Sequence, residues 1–272
     1  LNANKNLWEK GDFTVIARTM RESGEEVVRS LNVRQHMHVL DLGCGDGTTA
    51  IPLAKTGERV TGIDIASNLV AAGRRRIEEH GLTNISLYEG DAGCLEGEAD
   101  DSFDLTLSMF GAMFSPSPLS TASEMVRVTR SGGTIVMGNW IPNDPESFVS
   151  QLLRVSAAYM PPPPEGFVSP VSWGVETHIL ERFAAAGIPA GHVTTQRDTY
   201  HFRAPWSAPE QFVDCFRLYY GPTMNAFEAA SKQGREAQLH ADLLDLAREH
   251  NRCSDGGTHI CAAYMRVTVQ VP

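Results

Sequence analysis

The sequence predicts an α/β fold organised on a mainly parallel β-sheet. Three observations predict it. Short β-branched or apolar runs alternate with helical patterns between His38 and Met137, glycines stand where those helices stop, and a glycine-rich turn joins the first run directly to a helix. Strands that alternate with helices of this length imply right-handed βαβ crossovers, hence parallel neighbours.

The elements follow in order. From Asp12 to Leu31, apolar Phe13, Val15, Ile16, Met20, Val27, Val28 and Leu31 recur at helical spacing, with Gly24 a weak point in the middle. The strand runs are His38–Leu42, Arg59–Ile65, Ile85–Tyr88, Phe103–Ser108 and Thr134–Met137. Helical patterns cover Thr48–Lys55, Asn68–His80 and Leu119–Thr129, and Gly57 and Gly81 supply left-handed C-caps. After Trp140 the alternation lapses. Glu146–Met160 reads as a helix, and Pro161–Pro164 as a stiff connection. Val175–Ala186 is a helix closed by Gly187, His192–Phe202 a strand, and Pro209–His250 two or three helices broken at Gly221-Pro222. Ile260–Val269 alternates as a closing strand.

Composition excludes several classes of function. The 272 residues carry 23 Lys plus Arg against 33 Asp plus Glu, a formal charge of −10, with no basic run. Such a chain lacks the footprint for gripping a phosphate backbone, so no nucleic-acid partner is expected. No apolar run approaches ~18 residues, so no membrane span is expected. Cys44, Cys94, Cys215, Cys253 and Cys261 are odd in number, widely spaced and without a CxxC. That spacing fits neither a disulfide framework nor a zinc site, and a cytoplasmic location is expected.

The informative segment is Val39-Leu40-Asp41-Leu42-Gly43-Cys44-Gly45-Asp46-Gly47. Its glycines allow a tight turn and let a ligand approach the peptide units closely. A dinucleotide fingerprint wants a glycine at Thr48, and a P-loop wants Gly-Lys-Ser/Thr, which is absent. The acids downstream sharpen the reading. Asp64 ends the second strand, where a carboxylate accepts hydrogen bonds from both ribose hydroxyls; Asp91 follows the third, within reach of an adenine amine; Asp41 ends the first, beside the loop, where it would meet a ligand ammonium. Three acids at successive strand ends of one crevice suit a nucleoside with a cationic amino-acid tail. S-adenosylmethionine is such a molecule.

The motif string VLDLGCGDG, GIDIAS, EGDA, SFDLTLS and RVTRSGG resembles, in order and spacing, the class I S-adenosylmethionine-dependent methyltransferases, in the branch similar to ubiquinone and menaquinone C-methyltransferases. The match runs through Trp140 and continues more loosely to the C-terminus; Ser131 stands where the family often has Pro. The resemblance implies a Rossmann-like, seven-stranded, mostly parallel sheet with its last strand antiparallel, a helical N-terminal cover and a helical cap. It implies a single domain over 1–272: a cover at 1–33, a cofactor core at 34–140, cap and substrate helices at 141–190 and 204–255, and closing strands at 191–203 and 258–270. Carried over residue by residue, it assigns Asp41, Gly43, Cys44 and Gly45 to the methionine end and Asp64 to the ribose. Asp91 goes to the adenine amine with Ala92 beside the ring, Ile65 and Leu69 to the nucleoside faces, and Ser108 to the neighbourhood of the sulfonium.

The implied activity is methyl transfer to O, N, C or S of a small, largely apolar molecule, leaving S-adenosyl-L-homocysteine. Such a displacement needs alignment and exclusion of water, and a general base only if the acceptor must lose a proton. No catalytic residue is therefore fixed by sequence; His178 is the candidate base. The acceptor candidates are Phe13, Phe110, Met113, Trp140, Trp173 and Tyr219, within a wider set that adds Trp8, Phe114, Tyr159, Trp206 and Tyr220. No metal is expected. Metal-dependent relatives carry carboxylates at the fourth and fifth strand ends, where this chain has Ser108 and Gly138-Asn139-Trp140, and His36 and His38 lie at the strand edge away from the crevice. DNA amino-methylating relatives carry an Asp/Asn-Pro-Pro-aromatic turn where this chain has Ser108-Met109-Phe110-Gly111. Two alternatives stay open: a protein that binds the cofactor without methylating, and an NAD-dependent oxidoreductase.

Overall fold

The structure, a computed structural model, describes residues 3–31, 33–34 and 36–272. The cover expected at 1–33 therefore includes residues 1, 2 and 32, which with residue 35 lie outside the described residues.

The first half of the chain runs α1 (Ala3–Glu9), α2 (Thr14–Ala17), a 3-10 turn (Arg18–Met20), α3 (Arg21–Ser30), β1 (His38–Leu42), α4 (Ala50–Lys55), β2 (Arg59–Asp64), α5 (Ser67–Glu79), β3 (Ile85–Glu89), β4 (Phe103–Met109), α6 (Pro118–Val128) and β5 (Thr129–Trp140). The second half adds α7 (Phe148–Ala157), α8 (Glu176–Ala185), β6 (Val193–Ala204), α9 (Pro209–Tyr219), α10 (Gly221–Lys232), α11 (Glu236–His250) and β7 (Thr258–Gln270).

The seven strands form one sheet in the order β3-β2-β1-β4-β5-β7-β6. β1 to β5 are parallel; β7 runs antiparallel to both β5 and β6, so it alone is reversed. The order turns at β1, which pairs β2 on one side and β4 on the other. In open α/β sheets the crevice beyond the strand carboxyl ends at such a switch point is where ligands bind.

Successive strand residues face opposite sides. Val39, Leu107 and Val136 pack with Ile51, Leu53 and Val70 of α4 and α5, whereas Leu40, Leu42, Ile135 and Met137 join the larger core under the remaining helices. Burial on both faces is why the central strands read as continuous apolar runs rather than alternating ones.

Two segments depart from the sequence expectation. The helical stretch from Asp12 to Leu31 is three pieces, with a 3-10 turn between α2 and α3. Gly24 sits within α3 because a Cβ there would stand 2.5 Å from the Thr48 carbonyl oxygen; it permits close helix-to-loop approach rather than breaking the helix. The helix expected to reach Thr129 stops at Val128, and β5 starts at once. A register shift between Phe103 and Leu105 and a left-handed Gly132 (φ 76°) absorb the Thr129-Arg130-Ser131-Gly132-Gly133 turn. Among the described residues no helix is long and apolar enough to cross a membrane.

Candidate cofactor and acceptor cavity

Beyond the carboxyl ends of β1 to β5 lies a cavity of about 900 Å³, its mouth included. Its two ends differ in chemistry.

The polar end is built by the glycine loop and two strand ends. Gly43 and Gly45 adopt φ of 72° and 54°, and both line the cavity. Gly43 also abuts the chain leaving β4: a Cβ on Gly43 would stand 2.5 Å from the Gly111 Cα, and a Cβ on Gly111 would stand 2.6 Å from the Gly43 Cα. Asp64 lines the cavity and braces the loop, accepting the Gly45 N–H at 2.8 Å and the Ala66 N–H at 2.9 Å. Asp91 lines it too, its Oδ1 accepting the Gly93 N–H at 2.8 Å. Ile65, Leu69 and Ala92 complete this end. The loop is anchored from behind by Asp46, which is buried and pairs with Arg21 and Arg76. Arg76 also donates to the Asp46 carbonyl at 2.5 Å.

Electrostatically the loop is poised for a cation. Burial pushes the Asp41 carboxyl up to about 7, opposed by the Thr49 hydroxyl that donates to Oδ2 at 2.6 Å and reinforced by Asp64. The Asp41 Oδ1 atom is buried without a hydrogen-bond partner. Burial also raises Asp64, against the backbone N–H groups of Ala66 and Gly45, and raises the Cys44 thiol well above its ordinary value.

The other end is apolar. Phe110 and Trp140 stack face to face, with centroids 3.7 Å apart and planes 2° apart. Phe110 achieves this from a left-handed backbone (φ 63°), uncommon for a bulky residue; its N–H donates to the Gly138 carbonyl at 2.9 Å. Trp8 from α1 stands edge-on to Phe114 at 4.8 Å and to Phe13 at 5.7 Å, and Tyr220 closes the same wall. Val149 of α7, Phe202 of β6 and Phe216 of α9 line the deeper part. α1 is fastened over the opening: Glu9 accepts from the Ser67 N–H and hydroxyl, and Asn68 donates to the Gly11 carbonyl.

Of the ten residues assigned to the cofactor, Gly43, Gly45, Asp64, Ile65, Leu69, Asp91 and Ala92 line this cavity. Three do not. Asp41 lies behind Thr49, and Cys44 faces a smaller adjoining recess. Ser108 is buried and its hydroxyl donates to the Leu42 carbonyl at 2.6 Å while accepting the Ala112 N–H at 2.9 Å. That clasp ties β1 to the chain leaving β4 and engages the hydroxyl with backbone groups.

Among the acceptor candidates Phe13, Phe110 and Trp140 line the cavity, as do Trp8, Phe114 and Tyr220 of the wider set. Met113 is buried in the core, Tyr219 turns away, and Trp173 lies under the Arg182 guanidinium at 4.4 Å. Tyr159 hydrogen-bonds Asp242 at 2.5 Å, and Trp206 is exposed. His178 is exposed on α8 outside the cavity, so the expected base is not at the site. Among the described residues no histidine lines it. Sequence reasoning missed Met20, Val149, Phe202 and Phe216, which reach the site through tertiary packing of segments with no local motif. The Gly111 contact had a readable signal, a glycine two residues past the fourth strand. Away from the cavity, His201, His259 and Cys261 meet on the sheet, a cluster the cysteine spacing did not anticipate.

The methyltransferase-domain family model matches residues 39–133, from β1 into the first part of β5. An uncharacterized protein of Mycobacterium tuberculosis is 32% identical over 252 residues, covering 91% of this chain and 88% of that one. The demethylmenaquinone methyltransferase of Geobacillus kaustophilus is 36% identical over 116 residues, 41% of this chain and 49% of its own length. In fold, the chain is similar to the phosphoethanolamine N-methyltransferase 2 of Haemonchus contortus solved with S-adenosyl-L-methionine (TM-score 0.61, 15% identity, all of this chain and 60% of that one). The family model, the seven-stranded sheet and the glycine loop at its switch point agree: the chain carries a methyltransferase domain of the class I, S-adenosylmethionine-dependent kind.

Proposed function

We propose that this protein transfers a methyl group from S-adenosylmethionine to a small, largely apolar acceptor. The observation that carries the reading is the division of one cavity into an acidic, glycine-floored end and an aromatic end. The donor residues fit a cationic adenosyl ligand. Gly45 has nothing within 4 Å of where a Cβ would be, so its backbone lies open to a ligand, and Asp41 keeps an unpartnered buried oxygen behind it. When bound, the cofactor supplies a methyl group already activated by its sulfonium.

The chain's own residues then hold and shield. Each Asp64 oxygen has one lone pair engaged by a backbone N–H and another with which to accept from a ribose hydroxyl. Asp91 takes the adenine amine, with Ile65, Leu69 and Ala92 against the nucleoside faces. Asp41 contributes charge from behind Thr49 rather than by contact. The Phe110–Trp140 stack, Trp8, Phe114 and Tyr220 hold the acceptor and exclude water. Holding reactants in line supplies on the order of 7–11 kcal/mol, enough for an activated donor without a histidine base. In this assignment the core at 34–140 carries the cofactor, and the N-terminal helices with α7 and α9 enclose the acceptor.

The test is product mass spectrometry with isotopically labelled S-adenosylmethionine and a panel of apolar phenols, quinols, amines and thiols. We expect a labelled methyl on at least one class, together with S-adenosyl-L-homocysteine. Tight cofactor binding with no methylated product, alongside some other conversion of an acceptor, would favour a non-methylating role.

A further inference from the structure

We propose that His201 of β6 with His259 and Cys261 of β7 forms a binding site for one zinc-like divalent metal ion, separate from the cavity. The three donor atoms lie within 4.8 Å of one another. His201 Nδ1 is 3.2 Å from His259 Nε2, and the Cys261 Sγ is 3.4 Å from the first and 3.8 Å from the second. A tetrahedral zinc with Zn–N of about 2.0–2.1 Å and Zn–S of about 2.3 Å holds two nitrogens about 3.4 Å apart and each about 3.6 Å from sulfur. The observed triangle is close to that without rearrangement.

The sheet produces the triangle. His201 and Cys261 are direct antiparallel partners, and His259 stands two residues before Cys261 on the same face, opposite Arg203. Neighbours at i, i+2 and across a ladder project together. Tyr200 and Phe202 take the opposite, fully buried face, and Phe202 lines the cavity, so the cluster is on the far side of the strand from the acceptor. All three ligand residues are half-buried, leaving a fourth position open to water.

The surrounding charge suits a dication. Arg203 lies on the same face and is held by Glu26 at 3.0 Å and Glu22 at 3.4 Å. The two carboxylates and a Cys261 thiolate together offset the guanidinium and the metal. On binding, the thiol gives up its proton to solvent and both imidazoles ligate in their neutral form. The sequence expectation of no metal rested on cysteine spacing and on the strand ends. It overlooked this set because 58 residues separate the two histidines and only the β6–β7 register unites them.

Chelator-treated full-length protein titrated anaerobically with cobalt(II) chloride tests the site. The expected result is one equivalent bound with Kd on the order of 1 µM or tighter, with a thiolate-to-cobalt charge-transfer band and the intense visible bands of four-coordination. Cys261→Ser abolishes the charge-transfer band and weakens binding about 100-fold, whereas Cys94→Ser and Cys253→Ser keep both. His201→Gln retains the thiolate and weakens cobalt binding at least about tenfold, so the proposal stays testable should Cys261→Ser fold poorly. Zinc raises the thermal midpoint of the wild type and leaves that of Cys261→Ser unchanged. S-adenosyl-L-homocysteine affinity is the control for folding and stays the same in all variants. A wild type without a thiolate-to-cobalt band, or a band that survives Cys261→Ser, overturns the proposal.

Discussion

The two ends of the cavity are made in different ways. At the polar end, residues close in sequence do the work: a strand, a glycine turn and an acid at the next strand end are fixed by local hydrogen bonds such as the Gly45 N–H to the Asp64 carboxylate. At the aromatic end, Trp8, Phe110, Trp140, Phe202 and Tyr220 converge from five separate segments and are held by packing. The first is a local device that many acceptors can share. The second is where a particular acceptor is selected. The comparison teaches that cofactor binding and acceptor binding should respond to different mutations.

Trp140→Ala tests that separation most severely. Removing a buried ring stacked on Phe110 costs about 3–5 kcal/mol of stability. Chemical denaturation reads that loss, while S-adenosyl-L-homocysteine affinity of the folded fraction stays within about threefold. A collapse of cofactor affinity would show that the two ends are one unit.

Gly43→Ala attacks the other end. The added methyl meets the Gly111 backbone and must sit in a left-handed conformation, so a loss of about 2–3 kcal/mol is expected together with weakened cofactor binding. Normal stability and normal affinity would remove the Gly43–Gly111 contact from the account.

A third prediction concerns pH. Asp41 is raised by burial from 3.8 to about 7, so its ionised form is disfavoured by the fold. The stability associated with the protonated carboxyl is complete below about pH 4 and is lost as the pH climbs to about 7. Cofactor-free Asp41→Asn should therefore show a smaller fall in thermal midpoint between pH 5 and pH 8 than the wild type does. Asp64, also raised, leaves part of the slope in place. An identical slope in the two proteins contradicts the reading of Asp41.

The mildest change is Tyr220→Phe, which removes one hydroxyl from the aromatic end. Acceptor KM should rise by a few-fold and cofactor affinity should not move. The opposite pattern would place Tyr220 with the cofactor.

The same contrast explains how much was legible in the sequence. The positions of the strands up to β5, the glycine loop and the acids at positions 64 and 91 are local, so the alternation and the turn residues reveal them. Ser108 looked like a ligand contact because it ends a strand at the crevice, but a buried hydroxyl beside two free backbone groups satisfies those first. His178 and Trp173 belong to a segment whose docking no local pattern specifies, and packing turned His178 to solvent and Trp173 against Arg182. The depth of the aromatic end depends on α7, β6 and α9, segments far apart in sequence that only tertiary packing brings together. The His201, His259 and Cys261 cluster is likewise a matter of register between two strands, invisible to spacing along one.

Calorimetric titration with S-adenosyl-L-homocysteine of the wild type and of Asp64→Ala bears most directly on the central claim. The account predicts micromolar binding to the wild type and a loss of about tenfold or more in the variant, since each carboxylate oxygen is assigned a ribose hydroxyl. No heat with the wild type, or an unchanged affinity in a folded Asp64→Ala, would contradict it.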